Sequence, residues 1–354
     1  MNNKTNLLFV IPSMENAGPV NVCLNIIENL GSGFNVTVIT FRNGENRKRF
    51  ENSAKVIIVK WYEFTRVVRL INASEIDIVH SHCLLPDMYN FFASLFFRKK
   101  RITTVHNYID VDYVYSKGFW KGKIMGWINR LAIKKMIKVA CSESVATYCN
   151  DNYSFNDMLY ISNGVDRDSD NISLLKREKK TVDFFYLGVV NRRKNIGQLL
   201  RVFSLWSNGK DCFLHIIGDG PDLDFYHKKY SCNNIIFHGR KKKPYEVFEN
   251  YDCFVSCSLA EGLPLAMIES ISYAKPYICS SISPHKEIDS KVEGVSGFIF
   301  DCTDVGLSEA FDKFYLCSNR NEMSKNAITL YENNYTAQHM VKEYKNVYSN
   351  GWEI

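Results

Sequence analysis

The 354-residue chain predicts an α/β protein of two domains, each a parallel sheet covered by helices on both faces. Three observations carry this. The length exceeds what a single hydrophobic core supports and suits two. Short, nearly continuous apolar runs alternate with helical patterns through both halves, as strands buried on both faces of a parallel sheet require. The alternation lapses between Asp166 and Lys180, where nine of fifteen residues are charged, and this marks a junction. The expected divisions are residues 1–165, 166–335 and a terminal segment, 336–354. In that segment Met340, Val341, Tyr344, Val347 and Tyr348 recur at helical spacing, which predicts a helix packing back across the junction.

In the first half, Leu7–Ile11 reads as a strand, followed by a loop through Gly18 and a helix over Pro19–Leu30. Phe34–Phe41, Val56–Trp61 and Asp77–Ser81 are further strands. Asp87–Phe97 reads as a helix, Arg101–His106 as a strand, Phe119–Ile137 as a long helix and Lys138–Cys141 as a strand. In the second half, strands are predicted at Val182–Leu187, Phe213–Ile217, Ile235–His238, Cys253–Cys257 and Pro276–Ser280, with helices at Ile196–Trp206, from Tyr245 and from Pro264. Pro264 suits the first position of a helix, where its missing N–H is no loss. Asn163-Gly164-Val165-Asp166 and Gly218-Asp219-Gly220-Pro221 read as tight turns, the first with Asn-Gly suited to positive φ.

A hydrophobic share of 46% and a charged share of 23% belong to a soluble globular protein. The eleven cysteines show no C-x-x-C pair or regular spacing, which points to free thiols in a reducing cytoplasm. The apolar run near the N-terminus is too short for a signal peptide, and none approaches the roughly 18 residues of a membrane span. The net charge of +6 is uneven: between Arg98 and Lys138 eleven basic residues face only Asp110 and Asp112. Within that stretch, segment 117–138 interleaves Phe119, Trp120 and Trp127 with Lys121, Lys123, Arg130, Lys134 and Lys135. Such a helix can lie in the headgroup region of an anionic membrane; a solvated basic face has the same composition. Nucleic acid is not the expected partner, because the charge is confined to one patch and no nucleic-acid module accompanies it.

The chemistry concentrates in Ser258–Ser270, SLAEGLPLAMIES. Glu261 and Glu269 have seven residues between them, with a Gly-Leu-Pro-Leu turn after the first. The preceding strand would deliver the turn to the carboxyl edge of a sheet, where open α/β folds bind ligands. Backbone N–H groups near Gly262, Leu263 and Leu265 would point out of a helix start beginning at Pro264, a ready phosphate site. Glu269 could accept both hydroxyls of a ribose, and Glu261 could reach a sugar beyond the pyrophosphate. An amphipathic helix with two solvated glutamates has the same spacing. Arg192, Arg193 and Lys194, between a strand end and a helix start, can neutralise a pyrophosphate, or form a solvated basic loop. Gly18 would let the first loop approach a ligand closely. His106, at a strand end, could hydrogen-bond a sugar hydroxyl or stabilise developing charge, or serve only as a structural hydrogen bonder; His82 has the weaker claim. No metal-ligand cluster stands out, since Asp110–Asp112 and Asp222–Asp224 read as short acidic loops.

Taken in order, LLFVIPSMENAGPVNV, DIVHSHC, TTVHN, VACSESVATY, ISNGVD, FFYLGVVNRRKNI, LHIIGDGP, IIFHG, SLAEGLPLAMIES, AKPYICSSIS, HKEI and GVSGFIFD resemble the retaining glycosyltransferase family 4. The resemblance covers nearly the whole chain, and its specific part is the glutamate pair. It implies the GT-B fold: two Rossmann-like, doubly wound domains facing each other across a cleft, the first binding the acceptor and the second a UDP- or GDP-sugar. It further implies that Glu269 binds the donor's ribose, that Glu261 contacts the transferred sugar, that Lys194 and Arg193 hold the diphosphate, that His106 meets the sugar, and that residues near Gly239 and Arg240 border the base. No metal or other cofactor is implied.

The chain departs from the family where an arginine often follows the glycine ending the corresponding strand. Val189 stands there, and Arg192 or Arg193 is expected to supply the charge. The first loop also has one glycine where two are frequent. The acceptor implied is a lipid-linked oligosaccharide of bacterial O-antigen or capsule synthesis, met at the cytoplasmic face of the inner membrane through segment 117–138. Two other readings suit the same residues: a GT-B-shaped nucleotide-sugar epimerase, and a noncatalytic nucleotide-sugar-binding scaffold.

Overall fold

A computed structural model describes residues 4–167, 181–230, 232–242 and 244–349. Most of the charged stretch expected at the junction lies outside the described residues. The chain divides into two compact units, Met1–Asp166 with Thr336–Ile354, and Arg167–Tyr335.

The first unit is built on seven strands: β1 (Thr5–Ile11), β2 (Phe34–Thr40), β3 (Lys55–Ile58), β4 (Ile78–His82), β5 (Lys100–Val105), β6 (Ile137–Ala140) and β7 (Leu159–Tyr160). They pair in parallel in the order β3-β2-β1-β4-β5-β6-β7. The order reverses between β1 and β4, the doubly wound arrangement. Leu8, Val10, Ile39, Val67, Ile71 and Val79 meet in a core on one face of this sheet. The helix Ala337–Ser349 belongs to this unit: Tyr344 and Tyr348 are buried, and their hydroxyls reach Thr104 at 2.8 Å and His80 at 2.9 Å.

The second unit has β8 (Val182–Leu187), β9 (Cys212–Ile217), β10 (Ile235–Gly239), β11 (Cys253–Ser256), β12 (Tyr277–Ser280) and β13 (Gly297–Phe300). All pairings are parallel, in the order β10-β9-β8-β11-β12-β13. Here the reversal falls between β8 and β11, the point at which such sheets bind ligands. Its core packs Phe184, Phe203, Trp206 and Phe311 edge to face and face to face, arrangements that add to simple area burial.

Several local expectations change. Pro264 is the residue before the helix Leu265–Ser272, with an extended ψ of 91°, and its carbonyl accepts the Met267 and Ile268 N–H groups. Gly164 is not among the positive-φ residues; its glycine is required because a Cβ would lie 2.2 Å from the Thr336 carbonyl oxygen, where the returning chain crosses it. Asp110 and Asp112 lie on a helix, Ile109–Lys117, and Asp222 and Asp224 at the start of another, Leu223–Lys229, not in loops. The stretch from Tyr245 is a 3-10 turn, Pro244–Asn250. The long basic helix ends at Ile133, with β6 beginning at Ile137. Not all of its neighbourhood's charge is surface charge. Arg101 is buried, donating to Asn90 and Asn72, and Lys138 is 1% exposed with its ammonium 2.9 Å from Asp157. Arg130 pairs with Asp110. All eleven cysteines are free.

Candidate functional site

The loops that follow β8 and β11 converge. After β8 the chain runs through Gly188 and Val189 into a single 3-10 turn, Arg192–Lys194, capped by the Asn191 side chain, which accepts the Lys194 N–H at 3.1 Å. Asn195 then takes a left-handed φ of 52° and starts the helix Ile196–Trp206. After β11 the chain runs through Ser258 to the turn ahead of Leu265–Ser272. The Leu259 N–H donates to the Arg193 carbonyl at 2.9 Å, tying the two loops together. Gly218, after β9, permits the third loop to close on this pair. Its φ is 155°, and a Cβ there would lie 1.8 Å from the Gly188 carbonyl oxygen.

Glu261 sits at the centre, 5% exposed. Its Oε1 accepts from the Lys194 ammonium at 2.5 Å and the Ser258 hydroxyl at 2.6 Å, and its Oε2 from the Arg193 guanidinium at 2.8 Å. Arg193 also donates to the Ala260 carbonyl at 2.6 Å. Burial by itself would raise the acid's pKa, yet Lys194 first and Arg193 next outweigh it and bring the carboxyl down to about 2. This is a buried, permanently ionised carboxylate clamped by two cations. Lys194 gives one of three N–H groups to Glu261, leaving donors that can meet an anion.

Glu269, just over one turn into the helix Leu265–Ser272, has the opposite character. It is half-buried, and its carboxylate has no partner among the described residues. Burial pushes it up to about 7, with Lys194 opposing. An acceptor left in this state is one a pair of ligand hydroxyls can satisfy. The Leu263 and Leu265 N–H groups at the helix start likewise lack partners among the described residues.

Of the residues predicted from sequence, Lys194, Arg193, Glu261, Gly262, Leu263, Pro264, Leu265 and Glu269 therefore share one corner of the second unit. Arg192 does not join the ion cluster: it is exposed, with no side-chain partner among the described residues, so Arg193 is the arginine that meets Lys194's partner. Val189 is half exposed, its carbonyl accepting from the Tyr186 hydroxyl. Arg240 is exposed just after β10. Gly18 and His106 belong to the first unit, Gly18 opening the helix Gly18–Asn29 and His106 following β5. His106 Nε2 lies 2.8 Å from His82 Nδ1, and burial lowers its pKa to about 3. Two contributors were missed. Ser258 carried no assigned role although it lies three residues before Glu261, the reach at which a serine can bond a neighbouring acid. His82 was ranked low although it alternates with His80 along β4 and so shares its face.

Known proteins resemble this chain in sequence and in fold. A family model described as "Glycosyl transferases group 1" matches residues 166–330, and one described as "Glycosyltransferase Family 4" matches residues 17–169. The chain is therefore a glycosyltransferase with a family 4 domain followed by a group 1 domain. The O-antigen biosynthesis glycosyltransferase WclY of Escherichia coli is 24% identical, over 97% of this chain and 98% of that protein. The capsular polysaccharide biosynthesis glycosyltransferase CapH of Staphylococcus aureus is 24% identical, over 88% and 90%. Among solved structures, Anabaena HepE in complex with UDP and glucose superposes with a TM-score of 0.79 at 14% identity, covering 98% of this chain and 99% of that one. WaaG, a glycosyltransferase involved in lipopolysaccharide biosynthesis, superposes at 0.75 with 13% identity over 98% and 100%. These likenesses establish the GT-B fold for this glycosyltransferase. No helix among its described residues is long and apolar enough to cross a membrane.

Proposed function

We propose that this glycosyltransferase moves a sugar from a UDP- or GDP-sugar to a lipid-linked oligosaccharide, with retention of anomeric configuration, during synthesis of a bacterial O-antigen or capsule. The observation that carries the donor assignment is the Lys194–Glu261–Arg193 cluster beside the unpartnered Glu269, at the sheet's point of reversal. The diphosphate takes the spare Lys194 donors, with Arg193 beside them and the N–H groups before and at Leu265; Glu269 accepts the ribose hydroxyls; Arg240 borders the base. Glu261 holds the two cations in place and contacts the transferred sugar. As the bond from the anomeric carbon to the diphosphate oxygen breaks, negative charge grows on the diphosphate, where fixed cations stabilise it most effectively. The acceptor hydroxyl bonds to that carbon on the same face and passes its proton to the departing phosphate oxygen. His106, kept neutral, hydrogen-bonds the sugar, and Gly18 gives the first loop a close approach. The reaction needs no metal, because Lys194 and Arg193 supply the positive charge.

The names of the full-length relatives support the polysaccharide assignment. Membrane attachment has support from the helix Phe119–Ile133, where Trp120, Ile124, Trp127 and Leu131 fall at helical spacing and are 78%, 58%, 56% and 47% exposed. The exposed Lys117, Lys121, Lys123, Lys134 and Lys135 flank this apolar stripe. Each lysine near an anionic surface contributes about 1 kcal/mol, enough together to hold the protein peripherally at the cytoplasmic face.

A panel of UDP- and GDP-sugars, offered with a lipid-diphosphate-linked oligosaccharide in the presence of EDTA, tests the reading. Transfer with an anomeric proton matching the donor's is the expected result. Isomerised donor without transfer would reveal an epimerase, and binding with neither a scaffold.

A further inference from the structure

Three imidazoles of the first unit form a column. His80 and His82 lie 4.4 Å apart by ring centroids, and His82 and His106 stack at 5.1 Å. His80 is satisfied at both nitrogens, Nδ1 by the Tyr348 hydroxyl and Nε2 by the Thr104 hydroxyl. His82 is fully buried and satisfied at one only: Nδ1 contacts His106 Nε2 at 2.8 Å, while its Nε2 is buried without a partner. His106 is part exposed, and with Nε2 occupied its Nδ1 is the ring nitrogen left to meet a ligand.

Burial keeps all three rings neutral at physiological pH, so a single proton lies in the His82–His106 contact. It has two possible owners. Were it on His106 Nε2, His82 would carry its own proton on Nε2, an N–H sealed where nothing accepts it. Were it on His82 Nδ1, the atom left over would be a bare lone pair. Orphaned buried N–H groups are the rarer defect in folded proteins, so the second arrangement is favoured.

We infer that His82 is a positioning residue that holds His106 in the Nδ1–H form, so that His106 presents the donor sugar with a proton donor and not a base. His106 then binds a lone pair of a sugar oxygen and cannot collect the acceptor's proton, which leaves that proton to the departing diphosphate. The inference rests on the role proposed for His106, but the two fail separately.

The test is long-range proton–nitrogen NMR on protein labelled with nitrogen-15 histidine, with His106 assigned by loss of its signals in His106→Gln. The expected result is a proton on His106 Nδ1 in the unaltered protein, a mixture of tautomers in His82→Leu, and the Nδ1–H form again in His82→Asn, whose amide NH₂ replaces the Nδ1–H. Turnover should fall roughly ten- to hundredfold in His82→Leu, as when the outer hydrogen-bond partner of a metal-bound imidazole is removed, recover in His82→Asn, and leave UDP affinity unchanged. A proton on His106 Nε2 in the unaltered protein overturns the inference whether or not any variant folds. A folded His82→Leu protein with an unaltered His106 tautomer does the same. The expected tautomer without transfer to any acceptor upholds the hydrogen-bond assignment and removes the functional reading instead.

Discussion

Two polar clusters, one in each unit, are held in opposite ways. In the second, Lys194 and Arg193 are brought against Glu261, whose carboxyl is driven down to about 2. In the first, His80, His82 and His106 pack together uncharged, with His80 and His106 near 3. The contrast follows from the partners. A buried charge persists only when opposite charges and hydrogen bonds offset its desolvation, and the β8 and β11 loops supply them. The column of rings has only hydroxyls and one another, so desolvation wins and the protons leave. A charged centre suits a charged leaving group, and a neutral one suits sugar hydroxyls. Glu269 lies between these cases, close to Lys194 yet unpaired, and its carboxyl stands near 7.

The largest expected effect breaks the charged centre. Lys194→Met leaves Glu261 buried with Arg193 alone, which should cost about 3 kcal/mol of stability in a denaturant titration and about a thousandfold in turnover. A variant as active and as stable as the parent would remove Lys194 from the mechanism. Next comes Glu269, which sharpens the contrast through pH. On the proposed assignment the ionised acid holds the ribose, so ionisation on raising the pH strengthens binding: UDP-sugar affinity should be roughly tenfold weaker near pH 6 than near pH 8. Calorimetry across that window should show this dependence vanish in Glu269→Gln; a slope that survives assigns the titration to another group.

Smaller effects mark where the charged centre ends. Replacing Trp120 and Trp127 by serine should weaken binding to anionic vesicles by about tenfold or more, through lost apolar burial, while transfer to a short soluble acceptor stays unchanged. Sedimentation with vesicles measures the first and an activity assay the second. Arg192→Ala should shift stability and donor affinity by no more than about 0.5 kcal/mol, because this arginine lies outside the ion cluster. A loss comparable with that of Arg193→Ala would mean that donor binding recruits it.

Legibility from sequence followed local signal strength. Runs such as VDFFYL and CFVSC announced β8 and β11 because a strand buried on both faces is apolar throughout. Helices without an apolar stripe escaped notice: Glu143–Tyr153 begins at Ser142, whose hydroxyl accepts the Val145 N–H at 3.2 Å, a capping signal that went unread beside a mixed pattern. The charge of segment 98–138 was overread as surface charge, since net charge does not reveal that Arg101 and Lys138 are buried, bonded to Asn90 and Asp157.

Sequence alone determined the alternation of strands and helices, the glutamate pair and the basic turn before Ile196, because each rests on spacing between near neighbours. Only the tertiary structure decided that Glu261 bonds Lys194 and Arg193 across 67 and 68 positions, that Arg192 does not, and that His82 lies behind His106. Those pairings arise where strands distant in the chain end side by side, and the ionisation each residue adopts depends on the burial and charge it meets there.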